Sequence, residues 1–128
     1  MFNTDTDSLI VGGDWNITLQ PIDKRGGTPW KSTIARGKLL AMMKEFALVG
    51  IFRERNQHKT NYTYESKALK MSSRIDFFLV PQHLTNCVAR VETKVSNAPD
   101  HRAVKLTLLI AQVPRGPGLW KFNRELRF

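Results

Sequence analysis

Short apolar runs alternate along this chain with polar stretches punctuated by glycine and proline, and the spacing inside each run differs. Ser8-Leu9-Ile10-Val11-Gly12-Gly13-Asp14 ends in two glycines and an acid, which predicts a buried strand delivering Asp14 to a sheet edge. Residues 17–31 hold Pro21, Gly26, Gly27 and Pro29 and read as loop. Ser32 or Thr33 can cap a helix running to about Val49, since Leu39, Met43, Phe46 and Ala47 fall at helical spacing and Gly50 is placed to stop it. Lys59 to Glu65, rich in Tyr and Thr, predicts a strand, and Ser73 to Val80 a stronger one closed by Pro81. Ser66 to Ser72 between them reads as an exposed hairpin loop carrying Lys67 and Lys70. Val88 to Val95 alternates, with Ala89, Val91, Thr93 and Val95 on one face and Arg90, Glu92 and Lys94 on the other. Arg102 to Ile110 repeats the pattern through Val104, Leu106, Leu108 and Ile110. Strand, helix, then four strands predicts an α/β or α+β architecture dominated by antiparallel pairs. From Val113 onward Pro114, Gly116, Pro117 and Gly118 precede Trp120-Lys121-Phe122-Asn123, a linker-like tail with an aromatic anchor.

Composition narrows the class. A length of 128 residues fits one domain, and 41% hydrophobic residues suffice for a core. Twenty Lys and Arg against 11 Asp and Glu give a net charge of +9, which favours polyanionic partners, nucleic acid before an anionic membrane. Cys87 is the only cysteine, so neither an internal disulfide nor a Cys-rich metal site can form, and its apolar neighbours mark it as a small buried hydrophobe. Met1 to Ser8 lacks the basic start and apolar run of a signal peptide, and no stretch approaches membrane-spanning length. The expected location is intracellular, in nucleus or cytoplasm, with no membrane partner and no secretion.

Chemistry enters with the polar residues pinned at strand ends. Asp14-x-Asn16 follows the first strand, Asp76 lies between Ile75 and Phe77-Phe78, and Asp100-His101 separates the last two strands. An acid in so apolar a run is costly to bury unpaired. His101 is the sensible partner, and its second ring nitrogen would then serve a substrate oxygen. Three acids, an amide and a histidine suit phosphodiester hydrolysis, which needs hard oxygen ligands for a cation, a base for water and donors for the charged phosphorane. Each piece has a plainer reading. Asp14-x-Asn16 is also an Asx turn, Asp76 could bridge to Arg74 or Arg102, and Asp100-His101 could be a solvated turn. Lys24, Arg25, Lys67 and Lys70 suit either a solvated surface or a DNA-facing one, and Tyr62 and Tyr64 either pack a sheet or stack on bases.

Order and spacing decide among these. Gly12-Gly13-Asp14-Trp15-Asn16, then Ser73-Arg74-Ile75-Asp76, then Asp100-His101-Arg102-Ala103-Val104 resembles the final three motifs of the endonuclease/exonuclease/phosphatase superfamily. Tyr62-Thr63-Tyr64 and Gly116-Pro117-Gly118-Leu119-Trp120-Lys121-Phe122-Asn123 look like its LINE-type retrotransposon branch, where a reverse transcriptase normally follows. The resemblance spans about Leu9 to Asn123. It implies the C-terminal half of a four-layer α/β sandwich, mostly antiparallel, with one main helix: a partial domain over residues 1–112 and a basic tail over 113–128. The implied activity is metal-dependent cleavage of DNA by an endonuclease. Asp14 would orient or deprotonate the attacking water or protonate the leaving group, and Asn16 would hold the scissile phosphate. Asp76 would fix the tautomer of His101, whose ring would contact the phosphate oxygen, and Asp100 would support a Mg²⁺ or Mn²⁺ site. Lys24, Arg25, Lys67, Lys70 and Arg74 would meet the nucleic acid, the hairpin loop reaching toward it; Arg74 could instead brace its strand.

Departures from the pattern matter. Pro99 replaces the usual Ser before Asp-His, Trp15 replaces the commoner Phe, and Gly50 stands where retrotransposon relatives often have Asp. The family's early Asn and metal-binding Glu lie upstream of the Gly-Asp motif, whereas the residues before Asp14 here include no Glu. Glu45, Glu54, Glu65, Glu92 and Glu125 come too late in the order to be that ligand. The resemblance therefore implies weak metal binding, impaired catalysis and a partner: the N-terminal half, or a second copy meeting an exposed apolar sheet face. The alternative expectation is an inactive retroelement fragment that binds nucleic acid through its basic surface.

Overall fold

The computed structural model describes residues 9–109. Met1 to Ser8, Ile110 and the tail with its Trp120 patch lie outside the described residues. In chain order the elements are β1 (Val11–Asp14), β2 (Lys24–Gly26), α1 (Ile34–Glu45), β3 (Leu48–Gly50), α2 (Ile51–Arg55), β4 (Tyr64–Ser66), β5 (Met71–Ser73), β6 (Asp76–Pro81), β7 (Val88–Lys94) and β8 (Ala103–Leu108). Short 3-10 turns occupy Pro21–Asp23 and Gln82–Cys87.

The fold is mixed α/β with antiparallel sheets, and β6 organises it. This strand pairs antiparallel with β1 on one side and β3 on the other. Its period-two alternation sends Phe77 and Leu79 to one face, where Leu39 of α1 and the half-buried Trp15, Ile17 and Leu19 cover them. Val80 and the half-buried Phe78 point the other way, into a cluster of Ile51, Leu84, Cys87 and Val88 backed by Val91, Leu106 and Leu108. Leu79 and Val80 are both fully buried, each a stabilisation of about 1.5–3 kcal/mol. The bare apolar face expected of a half-sandwich is therefore absent from β6, because α1 closes one side and α2 with the β7–β8 hairpin closes the other. No helix among the described residues is long and apolar enough to cross a membrane.

Several features differ from the pattern-based expectation. Thr33 caps α1 by accepting from the Arg36 amide at 3.1 Å, but the helix stops at Glu45 rather than near Val49. Ala47 turns left-handed at φ 50°, and Leu48–Gly50 leaves the helix to pair with Leu79–Pro81 of β6. Gly50 thus ends a strand. The long strand expected over Ser73–Val80 is two: β5 joins a second sheet, ordered β2–β5–β4, while β6 joins the first. The break falls at Arg74 and Ile75, where the Arg74 amide donates to Asp23 O at 2.7 Å and the Ile75 amide to Thr63 Oγ1 at 3.1 Å. A register shift between Val88 and Arg90 also changes the parity at the start of β7, so Val88 is buried and Ala89 exposed, while Val95, beyond the end of the strand, is 88% exposed. Lys59–Glu65 is extended strand only from Tyr64, and Lys24–Gly26 is a strand where loop was expected.

Buried charge fixes the segments around this frame. Asp23, only 2% exposed, meets the Arg53 guanidinium at 2.5 Å, and Arg53 also donates to Asn56 O and Lys59 O. Arg36 donates to Thr18 O, Thr18 Oγ1 and Lys31 O while lying 4.0 Å over the Trp30 ring.

Candidate active site

The end of β1 and the start of β6 lie side by side, with Asp14 opposite Asp76. Close packing makes this possible: a Cβ on Gly12 would sit 2.4 Å from the Phe78 ring, so the strand needs glycine there. After Asp14 the Trp15 amide donates to Ile75 O at 2.9 Å, and its indole Nε1 donates to Phe77 O at 3.0 Å. Asn16 adopts φ 54° and its amide donates to Asp14 Oδ1 at 3.0 Å, so the plainer Asx-turn reading describes the local geometry. The same turn leaves the Asp14 carboxylate exposed at the sheet edge.

His101 reaches Asp76 from the connection between β7 and β8. It bridges to Tyr64, whose ring lies 5.1 Å away, and Ser96 Oγ donates to His101 O at 2.6 Å. The adjacent Arg102 amide donates to Thr63 O at 2.8 Å. So held, His101 Nδ1 lies 3.1 Å from Asp76 Oδ2, both side chains half-buried. Donation from Nδ1–H to that carboxylate leaves Nε2 as the ring's working nitrogen, an acceptor when neutral and a donor when protonated. Asp14, Asp76 and His101 each present one ligand atom within 4.8 Å of the others. A cavity of about 380 Å³ opens beside His101, lined among others by Asn61, Tyr62, Tyr64, Glu65, Asp100 and Arg102.

The donor set can be tested against a hard divalent cation. Such an ion takes about six oxygen ligands, most of them carboxylate, carbonyl or water. Here one Asp14 oxygen already accepts from Asn16, and Asp76 Oδ2 is engaged by the imidazole. The exposed Asp100 side chain does not join the three-residue group. Asp14 and Asp76 can each still offer an oxygen to such an ion, but these residues alone supply too few donors to complete its shell, which leaves the other positions to water, phosphate or further residues.

The basic residues separate into two kinds. Arg25 and Gly26 of β2 pair with Ser72 and Met71, and Ser66 of β4 pairs with Met71 too, so the exposed turn of Lys67 and Lys70 lies at the same sheet end as Arg25. A Cβ on Gly26 would meet Lys70 O at 2.2 Å, a measure of how closely the two turns approach. Lys24 lies in the same strand, its ammonium donating to Thr28 Oγ1 at 3.0 Å. Arg74 is a correction. It is 3% exposed, donates to Asn61 O and Thr93 Oγ1, and lies 3.4 Å over the Phe52 ring, so it braces the fold and cannot reach a nucleic acid. Burial pushes its guanidinium down to about 10, opposed by Asp23, which leaves it cationic at neutral pH. Thr63 and Ser96 received no site role from the sequence, and Tyr64 only the alternatives of packing a sheet or stacking on bases, because a hydroxyl or ring in a polar stretch looks the same whether it faces solvent or a neighbour.

No family model matches the chain. Over 129 aligned residues, 98% of its length, it is 30% identical to an uncharacterised 149 kDa protein of transposon TX1 from Xenopus laevis, of which it spans 10%. Among solved structures it is similar to the AP endonuclease LMAP from Leishmania major, with a TM-score of 0.63 and 19% identity over 76% of this chain and 34% of that one. The 3'-5' exonuclease NExo from Neisseria meningitidis gives a TM-score of 0.64 and 21% identity, covering 80% of this chain and 45% of its own. A Neisseria NExo structure described as a 3' phosphatase bound to a product DNA hairpin matches to the same degree. The chain thus shares its fold with part of these endonuclease and exonuclease structures. The relative found by sequence is a transposon protein, and the chain spans under half of each of these proteins.

Proposed function

We propose that this chain carries the acid–base and phosphate-holding residues of a DNA endonuclease of retrotransposon type. The observation that supports the reading best is the convergence of Asp14, Asp76 and His101 within 4.8 Å, with Asp76 on the Nδ1 side of the ring. On this reading Asp14 takes a proton from the attacking water or returns one to the leaving oxygen, and the Asn16 side-chain amide holds a phosphate oxygen. His101 Nε2 faces the oxygen on which negative charge develops. Water oxygen bonds to phosphorus, the P–O bond to the leaving oxygen breaks, and that oxygen accepts the proton. Lys24, Arg25, Lys67 and Lys70 would neutralise flanking phosphates, and a DNA-bound structural neighbour favours DNA as substrate. Mg²⁺ or Mn²⁺ would support the phosphate with help from Asp100, its remaining ligands coming from outside these residues. From the transposon relative we infer an intracellular place of action, in nucleus or cytoplasm.

Plasmid nicking in the presence of Mg²⁺ tests this, comparing the chain with Asp14→Ala and His101→Ala. Each substitution should lower the nicking rate by about 10²–10⁴-fold. Cleavage that survives both would sink the assignment. The short donor set favours a second reading, DNA binding without cleavage, and salt-dependent binding by a chain that never nicks would select it.

A further inference from the structure

Thr63 is 0% exposed, enclosed more fully than the other buried polar residues described. Its Oγ1 accepts from two consecutive amides, Ile75 and Asp76, each at 3.1 Å. Its own amide donates to Ser73 O at 3.0 Å, and its carbonyl accepts from Arg102 at 2.8 Å. One residue therefore bonds to Asp76 itself, to the end of β5, and to the neighbour of His101. The next residue, Tyr64, bridges to His101 directly.

The location gives these bonds a consequence. Ile75 and Asp76 stand where the chain leaves one sheet for the other, and a buried amide without a partner there would be costly. The Thr63 hydroxyl satisfies both and so fixes the backbone from which the Asp76 carboxylate projects. The Thr63 carbonyl fixes the strand start after His101 at the same time. A valine has nearly the same shape but lacks the hydroxyl that accepts from these two amides. We propose that Thr63 is a positioning residue, a two-sided strut that holds Asp76 in reach of His101 Nδ1 and thereby sets the ring's tautomer. The proposal rests on reading Asp76 and His101 as the working pair, but its test observes the ring and needs no cleavage.

Nuclear magnetic resonance of the full chain with ¹⁵N-labelled histidine reports the His101 tautomer. In the wild type and in Thr63→Ser, which keeps the hydroxyl, Nδ1 should carry the proton and Nε2 should not. In Thr63→Val the Nδ1-bound proton resonance should be lost and the two nitrogens should move toward a mixture of tautomers, while the dispersed amide spectrum persists. A folded Thr63→Val chain that keeps the wild-type His101 signature overturns the proposal. So does a folded Thr63→Ser chain that loses it. Should the valine variant not fold, amide exchange in the wild type decides. Ile75 and Asp76 should exchange at least about tenfold more slowly than unbonded amides, and exchange at the unbonded rate overturns the strut.

Discussion

Asp76 stands between Ile75 and Phe77, both buried, and the fold tolerates its carboxylate because His101 Nδ1 lies 3.1 Å from it. That need was legible in the sequence, since an acid inside an apolar strand requires a partner and His101 was the nearest suitable one in the motif set. The proposed role makes a sharp expectation. Asp76→Asn keeps the shape but removes the charge that favours Nδ1–H, so the nicking rate should fall by about 10²–10⁴-fold with little change in DNA affinity. Equal losses in rate and affinity would assign Asp76 to binding instead. Asp23 makes the contrasting case. It lies in a polar stretch, 30 residues from Arg53, and nothing local betrays that it is 2% exposed. Asp23→Ala strands the Arg53 cation in the interior and should cost about 3–5 kcal/mol in urea unfolding, whereas an ordinary surface carboxylate would cost a few tenths. A loss below about 1 kcal/mol would show that water reaches Arg53.

Elements and ends set by local residues were legible, and ends set by distant partners were not. The cap at Thr33, the alternation of β8 and the hairpin turn at Lys67–Lys70 all follow from local residues. The C-terminus of α1 depends instead on a distant strand. Met43 through Ala47 would continue a helix by spacing alone, but Leu48–Gly50 leaves it to pair with Leu79–Pro81 of β6. The price is Ala47 at φ 50°, a conformation that disfavours any Cβ. Ala47→Gly should therefore stabilise the chain by about 1 kcal/mol in denaturant titration, even though glycine is a poor helix residue. Destabilisation would mean that α1 extends through this position in solution. The split of Ser73–Val80 has the same origin, because the amides at Arg74 and Ile75 find partners in Asp23 and Thr63 that lie far away in sequence.

At the scale of the whole molecule the charge of +9 overstates the surface available to a polyanion. Arg36, Arg53 and Arg74 are each 7% exposed or less and are spent on carbonyls, hydroxyls, Asp23 and aromatic rings. The composition could not reveal this, since a buried and an exposed arginine count alike. What remains near one sheet end is Lys24, Arg25, Lys67 and Lys70. If each neutralises one phosphate, together they contribute about −3.6 to the slope of log affinity against log salt on duplex DNA. Replacing Lys67 and Lys70 by alanine should flatten the measured slope by about 1.8, whatever other basic residues contribute, because only the difference is read. Arg74→Met should leave the slope unchanged while altering stability, since its guanidinium is enclosed. A slope that ignores Lys67 and Lys70 but responds to Arg74 would mean that nucleic acid enters where the fold now closes over Phe52, and the proposed binding face would have to be abandoned.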